Sequence, residues 1–588
     1  MSVIFGVFLL PLAVATNFPY TIPTRWNGGV AANICAIPDV KLCGWEMKLV
    51  FSVNVVSITS RDFLLTQPQS NRSVYYVKNQ PCNAERSAGQ ELCIGFNADV
   101  PGSSPVEISK LVFTKTSSDG QPCPATESVA YADVLAKSIL FYEAQRSGHL
   151  PSTNRIPWRA DSALSDGSDN NRDLTGGWYD AGDNVKFNFP MAWSTTTLAW
   201  GLIQFKAGYQ AAGELTNVYD SLRWPLDYLL KCWDSDHNEY WAQVGDGHAD
   251  HSQWTRPENM TSARPSYKVT IYSPGSDVTG ETAAAFAAAS IAFRSEDQGY
   301  SSRLLRNARS LYDFAYNNRG TYTNSVPAGD FYNSWSGFKD ELCWAAAWLY
   351  KATGETVYEQ RAMELISYND QVEFSWDNKN VGCQLLMYEA NPSDDSLKAR
   401  VENFVNRYRS SVTKTPTCGL TWHASWGSLR YSANAALIAM VAADVGIEKT
   451  LYRQWALSQI DYMLGANEAG RSYVIGYGNH PPQRPHHRAS SCSSDLSQPC
   501  NWNDFNNPGP NQNVLTGALV GGPDNEGNYA DIRSDYVRNE VACDYNAGFQ
   551  SVLAGMTDLH FLSANIGTFR TIVIGKNFLY LCDQSTYF

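Results

Sequence analysis

The sequence predicts an all-α (α/α)6 toroid that is preceded by a small antiparallel β-sandwich. Three observations lead to this fold class. Within residues 16–115, several short segments alternate apolar and polar residues, as half-buried strands do. Residues 116–128, TSSDGQPCPATES, are polar and contain Pro, Gly and Ser, which is typical of a linker. About eleven segments with helical periodicity follow within residues 129–560, and a toroid of helical hairpins fits them.

The strand prediction depends most on the stretch GWEMKLVFSVNV. Its apolar side chains fall on one face of an extended chain and its polar ones on the other. The apolar face consists of Trp45, Met47, Leu49, Phe51 and Val53. The stretches SVYYVKN, ELCIGFNADV and EISKLVFTK follow, with turn residues between them. Several short strands at this spacing indicate a β-sandwich.

The helix prediction comes from apolar residues that recur at helical spacing, with Gly at many of the segment ends. The segments are 129–145, 192–213, 218–233, 282–295, 301–316, 340–354, 356–368, 397–409, 428–446, 451–465 and 547–559. The Ala-rich segment 283–292 predicts close helix–helix approach. The loops between the helices are long and rich in Asp, Gly, His and Trp, and such loops usually carry function.

Composition restricts the class of partner. The net charge is −13, the isoelectric point is about 5.2, and no basic block stands out, so nucleic acid is not an expected partner. The chain has 18 Trp and 32 Tyr, and such side chains suit stacking on the flat apolar faces of sugar rings.

The N-terminus predicts a secreted, extracellular protein. Residues 3–15, VIFGVFLLPLAVA, form an apolar run that ends in a small-residue cleavage pattern, so residues 1–15 are interpreted as a signal peptide. The run is too short to span a bilayer, and no later segment is apolar for long enough, so we expect no membrane partner.

The 13 cysteines suit a disulfide-bonded secreted chain, and their odd number leaves at least one free thiol if all the others pair. Cys492 and Cys500 bracket a short polar loop and are predicted to pair. The cysteines of the first domain are expected to pair among themselves; they are Cys35, Cys43, Cys82 and Cys93.

Two aspartates stand three residues apart in GGWYDAGDNVKF, residues 176–187. Neighbouring carboxylates raise each other's pKa, so Asp180 and Asp183 in a Gly-rich loop indicate a bound metal or an activated water. Two further clusters lie far along the chain, GYGNHPPQRPHHRASSC at 476–492 and NYADIRSDYVRNEVACDYNAGF at 528–549. The three segments are hypothesised to converge in one cleft. A solvated loop or a helix cap is the alternative for any single acid.

These motifs resemble the signatures of the family 9 glycoside hydrolases, in the right order and over about 128–560. The resemblance implies that Glu540 is the general acid, Asp183 the base that deprotonates water, and Asp180 a holder of that water. It also implies inversion, with acid and base about 6.5–9.5 Å apart. Glu540 must then keep its proton near neutral pH, so a raised pKa is expected. Asp531 is expected to position the sugar or the acid.

The same resemblance implies a set of sugar-binding residues. His486 and Arg488 are expected to hydrogen-bond sugar hydroxyls, and Tyr545 to lie beside the −1 sugar. Further matches to cleft positions are His251, Trp254, Tyr332, Trp335 and Trp426. Core packing is the alternative for each tryptophan.

The segment DFYNSWSGFKDELCW, 330–344, resembles a family segment that holds a structural calcium ion. The resemblance implies ligands from Ser336, Asp340 and Glu341, with Asp377 as a further ligand. Clustered oxygen ligands are what calcium takes. The alternative is a capping box before the following helix. Zinc at His486 and His487 is disfavoured, because no Cys or His partner lies at helical spacing. No cofactor is expected to be required for the chemistry.

The N-terminal domain resembles the family 2 carbohydrate-binding modules in TRWNGGVAANI and in its GW and GF landmarks. Trp26 falls where that family places a stacking tryptophan, whereas Cys82 stands where it has a later one. Weak or lost binding to crystalline cellulose is therefore expected. The tail 561–588 extends beyond the usual end of the family 9 domain, and no role is assigned to it.

The resulting prediction is a secreted, monomeric endo-β-1,4-glucanase that acts on cellulose or soluble β-1,4-glucan. Two alternatives remain open. One is a non-catalytic polysaccharide-binding protein, which the presence of every motif acid disfavours. The other is a toroid hydrolase that acts on another β-glycan, such as mixed-linkage β-glucan or xylan.

Overall fold

The computed structural model describes residues 20–26, 28–36, 42–43, 45–60, 63–65, 73–79, 85–86, 92–100, 108–115, 131–416 and 419–569. The predicted signal peptide and the linker 116–128 lie outside these residues, as does Cys82. The predicted tail is described only as far as Phe569.

The described residues between 20 and 115 form ten strands, and the pairings seen among them are antiparallel. They are β1 (Tyr20–Trp26), β2 (Gly29–Ala36), β3 (Leu42–Cys43), β4 (Trp45–Phe51), β5 (Ser57–Thr59), β6 (Phe63–Leu65), β7 (Val74–Asn79), β8 (Glu85–Arg86), β9 (Leu92–Asp99) and β10 (Ile108–Lys115). One sheet has the order β1-β2-β9-β5 and a second has the order β10-β4-β7-β6, while β3 pairs with β8.

The predicted apolar face of β4 is buried. Trp45, Met47, Leu49 and Phe51 are each 3% exposed or less. The Phe51 ring lies 6.1 Å from that of Phe96 on β9, so side chains from both sheets contribute to one apolar cluster. A disulfide between Cys35 and Cys93 joins β2 to β9, which confirms part of the predicted N-terminal pairing.

The remaining chain is mainly helical. Its helices are α1 (Tyr131–Ala144), α2 (Asn188–Gln204), α3 (Lys206–Ala211), α4 (Leu215–Cys232), α5 (Gly247–His251), α6 (Ser276–Ala292), α7 (Gln298–Asn317), α8 (Lys339–Thr353), α9 (Thr356–Leu365), α10 (Asn380–Ala390), α11 (Asp395–Ser410), α12 (Ser428–Asp444), α13 (Lys449–Leu464), α14 (Arg488–Ser491), α15 (Trp502–Asn506), α16 (Tyr536–Asn539) and α17 (Cys543–Phe569).

Twelve of the described helices form a closed double ring. The inner ring runs α2, α6, α8, α10, α12, α17 and back to α2, each packed against the next. The outer helices α1, α4, α7, α9, α11 and α13 each pack against inner neighbours. Helix α6 is buried along nearly its whole length, because its small Ala side chains let α2, α7 and α8 approach it closely. This is the toroid of helical hairpins that the sequence predicts.

Some parts of the helical region were not predicted, among them the short helices α5, α14, α15 and α16. Helix α10 was also not predicted, since it is short and Gly382 interrupts its apolar pattern. A disulfide between Cys343 and Cys383 joins α8 to α10. A small sheet also lies among the loops, built from β11 (Lys186–Phe187), β12 (Trp233–Asp234), β13 (Glu239–Val244) and β14 (Ser266–Thr270).

Helix α17 continues past residue 560, where the sequence predicts the domain to end. In the described part of the chain, no helix combines the length and the apolar character that crossing a bilayer requires.

Candidate active site

The loop that carries Asp180 and Asp183 is fixed just before inner helix α2. Trp178 is fully buried and its backbone bridges to Arg146. The backbone N–H of Asp180 donates to the carbonyl of Val185 at 3.0 Å, which closes a tight turn around Asp183. The turn is followed directly by β11, so both carboxylates are held by regular structure on each side.

The histidine segment packs directly on this loop. The backbone N–H of Arg488 donates to the carbonyl of Gly182 at 3.0 Å. A Cβ atom on Gly182 would lie 2.0 Å from the carbonyl oxygen of His486, so only glycine permits the approach. The glycine of the DAGD motif thus brings two distant segments together.

The third segment completes the site. Glu540 follows helix α16, and its backbone forms a parallel bridge with His486. The backbone N–H of Cys543 donates to the carbonyl of Asp180 at 2.9 Å. The structure therefore brings together all three segments that the sequence analysis expected to converge.

The three carboxyl groups of the site have different proton affinities. Burial and the charge of Asp183 raise the pKa of Glu540 to about 7. Burial and the same charge raise the pKa of Asp180 well above its usual range. Burial alone would raise the pKa of Asp183 too, but the hydrogen bond and charge of His251 outweigh it and the net shift is downward. One carboxylate thus stays ionised beside a carboxylic acid that keeps its proton near neutral pH.

The adjacent histidines His486 and His487 are neutral, and each ring has a fixed tautomer. Burial lowers the pKa of His486 to about 4 and that of His487 to about 3. His486 Nδ1 donates to the carbonyl of Arg533 at 2.9 Å, so its lone pair is on Nε2. His487 Nδ1 accepts from the backbone of Ser490, so its Nε2 donates to Gln145 at 2.9 Å.

Gln145 and Asp250 are two polar residues of the site that the sequence analysis missed. The side-chain amide of Gln145 donates to the carbonyl of Ala181 at 2.6 Å and so links His487 to the DAGD loop. Asp250 forms a buried ion pair with Arg488. Asp250 directly precedes His251, a predicted site residue, and this position was the available signal for it in the sequence. No local pattern marks Gln145, which directly follows α1.

The predicted residues Arg488 and Asp531 have mainly protein partners. Arg488 is buried and directs its guanidinium at Asp250. The Asp531 carboxylate accepts the backbone N–H groups of Gln483 and Arg484, both at 2.9 Å. Asp531 therefore holds the histidine segment against the acid-bearing segment.

Two predicted aromatic residues contact the carboxylates directly. The Tyr332 hydroxyl donates to Asp180 Oδ2 at 2.5 Å. The Trp426 indole N–H donates to Glu540 Oε2 at 3.2 Å, and its ring lies 5.3 Å from that of Tyr536. Trp426 and Tyr536 are both about half exposed, so their faces are open to a ligand. The sequence predicts no role for Tyr536.

The other predicted sugar contacts differ in exposure. Trp335 is 75% exposed, whereas Trp254 and Tyr545 are buried. Trp254 packs edge-on against His486 at 5.1 Å, and Tyr545 packs under Gly427. Trp26 ends strand β1, and its side chain lies outside the described residues.

Some of the predicted calcium ligands lie close together. Ser336 Oγ lies 3.1 Å from Asp340 Oδ1 and also bonds to the main-chain carbonyl of Asp377. Glu341 instead pairs through Oε1 with the buried ammonium of Lys379 at 2.6 Å, and its Oε2 is buried with no hydrogen-bond partner among the described residues. Ser336, Asp340 and Asp377 therefore supply an oxygen set of the kind that calcium takes, whereas Glu341 already has a cationic partner. The predicted capping box is not observed, since α8 has no side-chain cap at its N-terminus.

A protonated carboxylic acid and an ionised carboxylate in one site, bordered by exposed aromatic rings, are what glycosidic hydrolysis requires, and they point to the class of glycoside hydrolases. Comparison with known proteins narrows the class. Residues 131–553 match the model of glycosyl hydrolase family 9. Endoglucanase A of Bacillus pumilus is 44% identical over 450 residues, which cover 74% of this chain and 67% of that protein.

Two solved structures of cellulose-degrading enzymes are similar to this chain. The endoglucanase of the termite Nasutitermes takasagoensis is 51% identical, with a TM-score of 0.71 over 74% of this chain and all of that one. The cellulase Cel9M of C. cellulolyticum, solved with cellobiose, is 36% identical, with a TM-score of 0.69 over 74% of this chain and 99% of that one. The chain belongs to glycosyl hydrolase family 9. It is an enzyme of the endoglucanase class.

Proposed function

We propose that this enzyme hydrolyses internal β-1,4-glucosidic bonds of cellulose or of soluble β-1,4-glucan by a single inverting displacement. The observation that carries the proposal is that, within one site, the pKa of Asp183 is lowered and that of Glu540 is raised. Hydrolysis needs a proton at the leaving oxygen and a base for the attacking water, and these two groups match both needs at near-neutral pH.

In the proposed reaction, Glu540 donates its proton to the glycosidic oxygen as the bond to the anomeric carbon breaks. Asp183 takes one proton from a water whose oxygen bonds to that carbon from the opposite face. Asp183 ends protonated and Glu540 ionised, and exchange with solvent restores both. A buried carboxylate oxygen without a partner is costly, so Asp180 Oδ1, which has none among the described residues, suits a second contact to the same water.

The aromatic residues supply the remaining parts of the proposed site. Trp335, Trp426 and Tyr536 present exposed ring faces on which glucosyl units stack. His486 accepts a hydrogen bond from a sugar hydroxyl at its unprotonated Nε2. His251 favours the ionised form of Asp183 and also contributes to substrate binding.

Calcium, the N-terminal region and secretion belong to the same proposal. Ser336, Asp340 and Asp377 would hold a structural calcium ion that stabilises the loop before α8. The two N-terminal sheets form a β-sandwich module with weak affinity for insoluble glucan, carried by Trp26. The protein is secreted by cleavage after residue 15 and acts as a monomer.

A product profile tests the proposed function. Purified enzyme is assayed on carboxymethylcellulose, lichenan and xylan, beside Asp183→Ala, Glu540→Gln and the exposed control Glu296→Gln. We expect rapid loss of viscosity of carboxymethylcellulose with the wild type and the control, and loss of about 10²–10⁴-fold in turnover for Asp183→Ala. Activity on xylan alone, or turnover that survives both site variants, would contradict the proposal.

A further inference from the structure

Trp502 is an exposed aromatic residue that none of the roles above explains. It is 44% exposed and lies on the short helix α15, in the segment between the two C-terminal motifs. A large apolar side chain at the surface gains nothing for the fold from its exposed part. An exposed ring that also packs against residues of the active site is a candidate for a ligand contact.

The ring of Trp502 is continuous with the active site. It lies 6.0 Å from the ring of Trp254, at an interplanar angle of 37°, and 5.2 Å from the ring of Phe505. Trp254 and Phe505 both contact His486, at 5.1 Å and 6.1 Å. Trp502 thus lies one aromatic contact farther from the carboxylates than Trp254 does.

A disulfide, a helix cap and hydrogen bonds from a buried arginine fix the position of the segment that bears Trp502. Cys492 and Cys500 form the disulfide that the sequence predicts, and Asn501 and Asp504 form a capping box on α15. Buried Arg533 donates to the carbonyls of several residues of this segment. These are Asp504, Phe505, Asn507 and Gly509.

A second buried arginine holds the preceding loop. Arg256, two residues after Trp254, donates to the carbonyls of Ser493, Asp495 and Gln498. The position of Trp502 relative to Trp254 is therefore fixed before any ligand binds. Such preorganisation lowers the entropic cost of binding.

We propose that Trp502 forms a further sugar-binding subsite, at which its indole stacks on a glucosyl unit of the bound β-glucan chain. The proposal rests on the proposed function, since the occupant is an outer unit of the same chain that reaches Glu540. Trp254, which Trp502 contacts, packs against His486, so the subsite lies beside active-site residues. A cavity of about 350 Å³ that is lined by Phe505, Arg484 and Asp531 offers polar groups for sugar hydroxyls near the same rings.

Binding to a non-hydrolysing chain tests the subsite. In the Glu540→Gln background, cellotriose and cellohexaose are titrated by calorimetry into the parent, Trp502→Ala and Trp502→Phe. We expect Trp502→Ala to weaken cellohexaose binding roughly 3- to 10-fold, the usual worth of an aromatic contact. Cellotriose, which reaches fewer subsites, should lose less, and Trp502→Phe should recover part of the loss.

The matched control is Leu496→Ala, which removes an exposed apolar side chain from the disulfide-closed loop that directly precedes the Trp502 helix. It should leave both affinities at the parent values. Unchanged cellohexaose binding in Trp502→Ala, or an equal loss for both sugars, would overturn the subsite. If instead the parent binds neither sugar and the wild type cleaves no β-1,4-glucan, the proposed function itself fails.

Discussion

His251 Nε2 lies 3.3 Å from Asp183 Oδ2, and this contact sets the charge of the proposed base. Burial would otherwise raise the pKa of Asp183; the hydrogen bond and charge of His251, together with the charge of Arg488 and the backbone N–H of Ala181, make the net shift downward. Burial also lowers the pKa of His251, but the hydrogen bond and charge of Asp183 outweigh it and raise that pKa overall. Each partner thus favours the charged form of the other.

Replacing His251 should therefore move the acidic limb of the pH profile. In His251→Ala the pKa of Asp183 rises, so the base becomes protonated at a higher pH. The fall of kcat/KM on acidification should therefore begin at a higher pH than in the wild type. His248→Ala is the matched control, because His248 lies on the same helix α5 and pairs with exposed Asp330 instead. An acidic limb at the same pH in His251→Ala and wild type would contradict the assignment.

The alkaline limb should report Glu540. The general acid must be protonated, so activity should fall as pH rises through about 7, the pKa to which burial and Asp183 raise this group. The hydrogen bond from Trp426 lowers that pKa, so Trp426→Phe should move the alkaline limb to higher pH while keeping an aromatic ring. Trp335→Phe serves as a control that changes KM but not this limb. A limb unaffected by Trp426→Phe argues against Glu540 as the titrating group.

Gly182→Ala should disable the site through geometry alone. Its new Cβ atom would overlap the His486 carbonyl, so the histidine segment must move away from the DAGD loop. We expect a large fall in kcat and a lower melting temperature, because buried backbone contacts are lost. Gly329→Ala, where a Cβ meets open space, should behave as wild type in both assays. Full activity of Gly182→Ala would show that the two segments need not touch.

Calcium removal should lower thermal stability. A ligand that binds only the folded state stabilises it by mass action, by about 2.7 kcal/mol at 100 times its dissociation constant. Dialysis against EDTA should therefore lower the melting temperature, and added calcium should restore it. Asp340→Asn, which weakens the oxygen cluster, should lose most of this response. Identical melting curves with EDTA and with calcium would remove the site.

Local sequence patterns predicted much of the fold for clear physical reasons. The alternation through Trp45 and Phe51 marks a strand with one solvated face, and several helical segments, such as that of α7, carry an apolar stripe. Helix α10 is short and its apolar pattern is interrupted by Gly382, so its sequence did not indicate a helix. Closure of the ring depends on contacts between α17 and α2, which no local pattern encodes.

The residues of the site likewise divide into those that the sequence predicted and those that it did not. Asp183, Glu540 and His486 lie in long motifs that resemble the family signatures, so the resemblance pointed to them, and their individual roles stay predictions. Gln145 and Arg533 lie in unremarkable local contexts and matter only through distant partners. The direction of the Asp183 shift could not be foreseen, since two aspartates three apart suggest a raised pKa until the contact with His251 is known.

The stereochemistry of the first product tests the central claim most directly. NMR spectra recorded during the first minutes of cellohexaose hydrolysis separate the α- and β-anomers of the new reducing end before mutarotation mixes them. A single displacement by water, with Asp183 as base and Glu540 as acid, predicts that the α-anomer appears first and the β-anomer follows. A β-anomer that appears first would mean retention through a covalent intermediate, and would make Asp183 a nucleophile or a bystander rather than a base.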